Sequence, residues 1–267
     1  MWINQQYTIN PELGEVLANR DFRIALSLGI EREEIRESAF LGQGEIRQPV
    51  AAPWHPYYPG DEYAFQYTEY DPDRANELLD SIGLTRDANG MRTLPSGAPL
   101  RLEISVVPAF GPWPDVAQLV AADWTDLGLT TDVQVRERTA HFTMRDANEL
   151  IIEIWNEDTS AFPFTGNPKL DPRSNPATIF AVESSTWYAT DGERVIDFDS
   201  MTTGDVRDLL AIFATVTRRW VVASLDWRHI AAFETDPPEG LRLMRFGVWV
   251  KPNPMPQLTS DRPAQGW

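Results

Sequence analysis

The chain has 267 residues, of which 40 are acidic and 23 basic, for a formal net charge of −17, and it carries 10 Trp, 12 Phe and 7 Tyr. That aromatic content supplies genuine cores and excludes a disordered chain. The charge argues against nonspecific binding to nucleic acid or anionic membranes, which needs clustered lysine and arginine. Cysteine is absent, which removes disulfides, thiolate metal sites and cysteine nucleophiles. The three histidines, His55, His141 and His229, are too dispersed to suggest a histidine-rich metal site.

In chain order, Met1–Gln6 opens as though inside a strand. Arg20–Ile30 has Phe22, Ala25, Leu26 and Gly29 at helical spacing, and Glu31–Phe40 continues helically. There Glu31, Glu33, Glu34 and Glu37 interleave with Arg32 and Arg36, the pattern of a solvated face rather than of paired catalytic acids. Gln48–Pro59, rich in proline and aromatics, reads as an ordered loop. Tyr57, Tyr58, Tyr63, Phe65, Tyr67 and Tyr70 are compatible with a carbohydrate-stacking surface, but packing of a long loop is the favoured reading. Asp71 can cap a helix whose first turn holds Pro72, whose buried stripe is Ala75, Leu78, Leu79 and Ile82, and whose end falls before Gly83. Turns are signalled at 86–90 and 95–97, and Leu100, Leu102, Ile104 and Val106 alternate as a half-buried strand. A helix over Pro112–Leu127, a strand over Thr130–Val135, a helix over Glu137–Asn148 and an apolar strand over Leu150–Trp155 complete an α/β lobe. No segment reaches the roughly 18 apolar residues of a membrane span, so no direct membrane insertion is expected. MWINQQYTIN has neither the basic nor the apolar region of a signal peptide, so the chain as given is expected to stay in the cytoplasm.

The runs DFRIALSLGIEREEI, FLGQGE, YDPDRANELLDSIGL and RDANGMR, and the stretch from LRLEI to WTDLGL, resemble extracellular solute-binding protein family 5 over about residues 1–175. These are the oligopeptide- and dipeptide-binding components of ABC importers. The resemblance implies the second ligand-binding lobe of a periplasmic-binding-protein-like fold and a periplasmic or extracytoplasmic location. It also implies a peptide or other small-molecule ligand, importer membrane subunits as partners, and neither nucleic-acid binding nor catalysis. In such proteins a Trp after a strand is followed three residues on by an Asp that pairs with the ligand's α-ammonium. Carried onto this chain, Trp155 walls the cleft and Asp158 is the ammonium partner, with Glu157 as the alternative carboxylate. A carboxylate in a closing cleft is a strong charge-assisted acceptor. From the residues alone, an Asp after a strand is more often a turn former or helix cap, and that is the favoured reading of Asp158 without the resemblance.

Near residue 180 the character changes. Residues 190–267 carry nine basic and eleven acidic residues, leaving a net of −15 for residues 1–189. Strands over Arg194–Phe198, Trp220–Leu225 and Phe246–Val250 alternate with helices over Thr203–Val216 and Trp227–Phe233, a partial Rossmann-like, doubly wound pattern. WYATDGERVIDF, RRWVVASLDWRHIAAFE, RFGVWVKPNPMPQ and TSDRPAQGW resemble an internal piece of phage-type site-specific DNA methyltransferases, which use S-adenosylmethionine. Asp236-Pro237-Pro238-Glu239 lacks the aromatic that the base-holding loop needs. It reads as a connecting turn, and no glycine-rich cofactor turn is present. Asp261 and Arg262, near the active site in that resemblance, receive no catalytic role.

Two incomplete units are therefore expected: a solute-binding lobe over 1–178 and a methyltransferase-like fragment over 186–267, joined within Asn175–Ser185 as in a chimera. Solute binding without a cofactor is the main expectation. The alternative is an adenine or cytosine amino-methyltransferase fragment, inactive as it stands.

Overall fold

The computed structural model describes residues 1–55, 58–156 and 179–189, together with 242–243 and 249–250. Strand β1 (Trp2–Ile3) is followed by helices α1 (Pro11–Ala18), α2 (Arg20–Leu28), α3 (Arg32–Phe40), α4 (Asp61–Ala64) and α5 (Pro72–Ser81). Then come β2 (Arg101–Val106), α6 (Trp113–Asp126), β3 (Thr130–Val135), α7 (Arg138–Asp146) and β4 (Ile152–Ile154). A 3₁₀ turn (Ile179–Ala181) leads into α8 (Val182–Ala189).

Local chemistry sets the helix ends. Asn10 accepts from Leu13 N–H at 3.2 Å and Pro11 occupies the first turn, so α1 is capped as its sequence directs. Asn19 then ends α1 and caps α2, accepting from Asp21 N–H at 2.8 Å. Arg23 reaches back to donate to the carbonyls of Leu17 (3.1 Å) and Ala18 (2.6 Å), which satisfies the exposed end of α1. At Gly14 an added Cβ would stand 2.1 Å from Tyr7 O, so only glycine lets this backbone approach occur. Asp71 accepts from Arg74 N–H at 3.0 Å, Pro72 stands in the first turn, and Gly83 follows with φ +85.

The sheet has strand order β1-β4-β2-β3. β2 runs parallel to both β3 and β4, while β1 is antiparallel to β4, with Trp2 opposite Glu153 and Ile3 opposite Ile152. Leu102, Ile104 and Val106 of β2 share one core with Ile152 and Ile154 of β4 and with Val116, Ala117, Val120 and Trp124 of α6. Trp124 is fully buried and its indole N–H donates to Leu26 O at 3.0 Å, tying α6 to α2. On the opposite face Ser105 lies beside Glu153, and His141 of α7 reaches Glu153. Helices α6 and α7 therefore cover opposite faces of the sheet. A chain that steps from β2 to β3 and then back across β2 to β4 requires this when both crossovers have the usual hand.

Several expectations need correction. Strand β2 is not half-buried at its end: Ile104, Ser105 and Val106 are all buried, because parallel neighbours flank it and helices cover both faces. Helix α1 was not anticipated. Arg32 does not belong to a solvated face. It turns inward and donates to Ser27 O (2.7 Å), Ser27 Oγ (2.7 Å) and Ile30 O (3.3 Å), while Arg36 alone serves Glu33 at 2.8 Å and Glu37 at 3.1 Å. Tyr63, Phe65 and Tyr70 are 51%, 41% and 44% exposed, so these rings do not pack down; Tyr67 does, and Tyr57 lies outside the described residues.

The chain divides into two compact units, Met1–Arg207 and Asp208–Trp267. Phe180 stacks on Trp2 with ring centroids 6.3 Å apart and accepts from Gln5 N–H at 3.2 Å, so the 3₁₀ turn docks on β1. In the second unit β5 (Arg242–Leu243) pairs antiparallel with β6 (Trp249–Val250), which falls within the strand expected over Phe246–Val250. The other elements expected between residues 194 and 233 lie outside the described residues.

Candidate functional site

In open α/β sheets, ligand crevices form beyond the C-terminal ends of parallel strands where strand order reverses. Here that point lies between β2 and β4. The loop after β2 carries Phe110 and the residue after β4 is Trp155, whose ring centroids are 6.2 Å apart. Phe142 of α7 adds a third ring, 5.3 Å from Trp155. His141 stacks beneath Trp155 at 6.0 Å with an interplanar angle of 22°. Arg138, the first residue of α7, sets its guanidinium carbon 5.6 Å from the Phe110 ring centre, 5.3 Å from Phe142 and 5.9 Å from Trp155. Three elements distant in sequence thus build one aromatic and cationic cluster around Trp155.

The support beneath it is polar and fully buried. His141 Nε2 lies 2.7 Å from Glu153 Oε1, and both side chains are 0% exposed. Beside this pair, Arg136 donates to Ser105 Oγ (2.5 Å) and Glu103 Oε1 (2.9 Å), ordering the C-terminal half of β2. At the other end of β4, Asn148 takes φ +62 and joins three segments. It accepts from Asn4 Nδ2 at 2.7 Å, donates to Gln6 O at 2.8 Å and donates to Glu183 Oε1 at 3.2 Å. These buried bonds fix β4, and so fix where Trp155 emerges.

An open groove of about 1010 Å³ is lined by Trp2, Phe40, Trp113, Ile154 and Trp155 together with Tyr63 and Tyr67. Arginines also border it. Arg32, turned inward there, is held below the usual guanidinium range by burial, with Glu69 and Asp123 acting in the opposite sense. On α6, burial pushes the Asp123 carboxyl up against the opposing pull of the Glu31 N–H that it accepts at 2.9 Å. Glu137, capping α7 just before Arg138, is held low by the N–H groups of Thr139 and Ala140.

Of the site residues read from sequence, Trp155 stands at the groove. Glu157 and Asp158 lie outside the described residues, as do Asp236–Glu239, Asp261 and Arg262. Phe110, Phe142 and Arg138 escaped the sequence reading. Their one local signal was the cluster of aromatic and basic residues around 138–145.

An α/β lobe with a groove at the ends of parallel strands has the architecture of a lobe of the periplasmic-binding-protein-like class. The chain belongs to the bacterial extracellular solute-binding proteins, family 5, whose Middle region matches residues 1–176. Among solved structures it resembles the oligopeptide-binding protein OppA, with 31% identity and a TM-score of 0.69, over 80% of this chain and 35% of that one. The fold also matches NikA from Brucella suis in complex with Fe(III)-EDTA, at 17% identity and TM-score 0.54 over 80% of this chain and 41% of that one. In sequence it is 25% identical over 130 residues to the nickel-binding periplasmic protein of Escherichia coli K12, covering 46% of this chain and 24% of that protein. The chain therefore spans well under half the length of these relatives. No helix among the described residues is long and apolar enough to cross a membrane.

Proposed function

We propose that this chain supplies one ligand-binding lobe of the solute-binding component of an ABC importer, acts outside the cytoplasm, and captures peptide-like ligands beside Trp155. The observation that carries this reading is Trp155, which packs against Phe110 and Phe142 beyond the C-terminal ends of β2 and β4 and lines a groove of about 1010 Å³. The likeness to an oligopeptide-binding protein favours a peptide over other solutes. Aromatic walls suit side chains of varied shape, while one carboxylate fixes the ligand's ammonium end. Asp158 is that carboxylate in this reading, with Glu157 as its alternative, and the importer's membrane subunits are the partners that receive the ligand.

Asp158→Asn should weaken binding of short peptides by about tenfold or more, the scale of one lost charge-assisted pair. Isothermal titration with Ala-Ala-Ala, run beside Glu157→Gln, decides which carboxylate serves. An affinity unchanged in both variants refutes the ammonium assignment. For residues 186–267 we propose no methyl transfer, since the sequence Asp236-Pro237-Pro238-Glu239 lacks the base-stacking aromatic. Tritium transfer from S-adenosylmethionine to DNA by the purified chain overturns that.

A further inference from the structure

The described part of the chain spends its arginines on its own backbone and carboxylates. Arg23, Arg32 and Arg47 donate to carbonyls, Arg36, Arg74 and Arg136 pair with glutamates, and Arg86 and Arg92 serve a buried corner. Among the residues whose side chains are described, Arg20 and Arg138 are the arginines with neither a hydrogen bond nor an ion pair. Arg20 lines the groove, whereas Arg138 is outside its lining and lies on the ring of Trp155, which lines it. In a chain of net charge −17, a guanidinium held on rings beside the groove with no carboxylate partner among the described residues is conspicuous.

Arg138 is held in a particular way. Phe110, Phe142 and Trp155 approach it at 5.3–5.9 Å, which orients the guanidinium through cation–π contacts. Such contacts occupy ring faces and leave N–H edges free for a bidentate acceptor. Phe110 itself is 67% exposed and takes φ +66, a backbone conformation that a phenylalanine rarely adopts. An apolar ring held in solvent on a strained loop, with a cation stacked against it, is an arrangement that stabilises neither a core nor a helix. The strain is consistent with a ligand-contacting loop.

We propose that Arg138 selects ligands carrying a carboxylate next to the Trp155 end, so that the groove prefers acidic peptides over neutral and basic ones. This rests on the peptide-binding reading above. The ring cluster is the preformed holder, the guanidinium edge is the recognising group, and the ligand's carboxylate is a counter-charge that no described residue supplies.

The test uses the full chain and three tripeptides, Ala-Glu-Ala, Ala-Gln-Ala and Ala-Lys-Ala, titrated by calorimetry against wild type, Arg138→Met, Arg138→Lys and Arg20→Met. Wild type should bind Ala-Glu-Ala about tenfold more tightly than Ala-Gln-Ala. Arg138→Met, which keeps the stem packed on the rings, should abolish that preference, so that Ala-Glu-Ala and Ala-Gln-Ala bind with equal affinity. Arg138→Lys should restore part of it, since an ammonium keeps charge but loses the planar fork. Equal wild-type affinities for the three peptides overturn the proposal and leave peptide binding standing. So does a preference that survives Arg138→Met, or one that Arg20→Met alone removes. No binding of any of the three refutes peptide capture and this selectivity together.

Discussion

Replacing Arg92 by methionine removes the most heavily used side chain of the first unit. Only 1% of the Arg92 side chain is exposed, yet it donates from Nε to Leu127 O (2.9 Å) and from Nη1 to Leu84 O (2.5 Å) and Asp80 Oδ1 (2.6 Å). From Nη2 it donates to Asn76 Oδ1 at 2.8 Å. Methionine keeps the stem and fills most of the volume, so the loss is polar. Leu84 O has no other donor among the described residues, and stranding a buried carbonyl costs about 1–3 kcal/mol. Leu127 O and Asn76 Oδ1 each keep Arg86 Nη2, at 2.9 and 2.8 Å, so each drops from two donors to one. That step costs about 0.5 kcal/mol apiece, the low end of a net hydrogen bond. Asp80 is 67% exposed and returns to water, so its ion pair adds little. Relief of guanidinium desolvation offsets part of the loss. The expected cost after that offset is about 1–3 kcal/mol, a large share of a typical stability of about 5–15 kcal/mol.

Urea unfolding followed by near-ultraviolet circular dichroism reads this out directly. A double-mutant cycle sharpens it. Because Arg86 and Arg92 share Leu127 O and Asn76 Oδ1, Arg86→Met with Arg92→Met should cost more than the sum of the single variants, with a coupling of about 1 kcal/mol. A loss below about 0.5 kcal/mol for Arg92→Met, the range of ordinary surface changes, refutes the accounting, as does strict additivity.

Asp123→Asn isolates a pH effect. Burial raises the folded-state pKa of this carboxyl, so the native chain holds the proton more tightly than the unfolded chain does. Stability contributed by that proton is present below the unfolded carboxylate range and falls away as pH rises through the raised folded pKa. Asparagine keeps an acceptor for Glu31 N–H, so the variant should melt higher than wild type at neutral pH and no higher at pH 3; a gain that grows on acidification contradicts the assignment. Asn148→Ala should cost about 3 kcal/mol in thermal or urea unfolding, from lost buried bonds to Asn4, Gln6 and Glu183 and from placing alanine at φ +62. Asn148→Gly should recover the backbone part alone, and full recovery by glycine means the side-chain network contributes nothing.

Where structure follows from neighbours in sequence, the sequence predicts it closely. The Asp71 cap, Pro72 and Gly83 bracket α5, and β3 has the expected bounds of Thr130–Val135. Helix α1 carried comparable signals in Asn10, Pro11 and the spacing of Leu13, Val16 and Leu17, with Gly14 interrupting the apolar stripe. Burial was less legible than helicity. Arg32 and Arg36 stand in the same charged run, yet one lies against Ser27 and the other in solvent, because only Arg32 faces the groove between α2 and the segment at Tyr67 and Thr68. A charge pattern along one helix cannot register what packs across it.

The site has the same logic at larger scale. Trp155 was recognisable because it belongs to a linear run at the end of an apolar strand. Phe110, Phe142 and Arg138 acquire meaning only through strand order. Placing β4 beside β2 rather than beside β3 brings the loop after β2 against the residue after β4. Putting α7 on the face opposite α6 delivers His141 to Glu153 beneath Trp155 and sets Arg138 over its ring. Had β4 added outside β3, each of those residues would keep its local environment, and the three rings would not meet. The chemistry beside Trp155 is therefore a property of the crossover from β3 back to β4, and no window of sequence shorter than that crossover contains it.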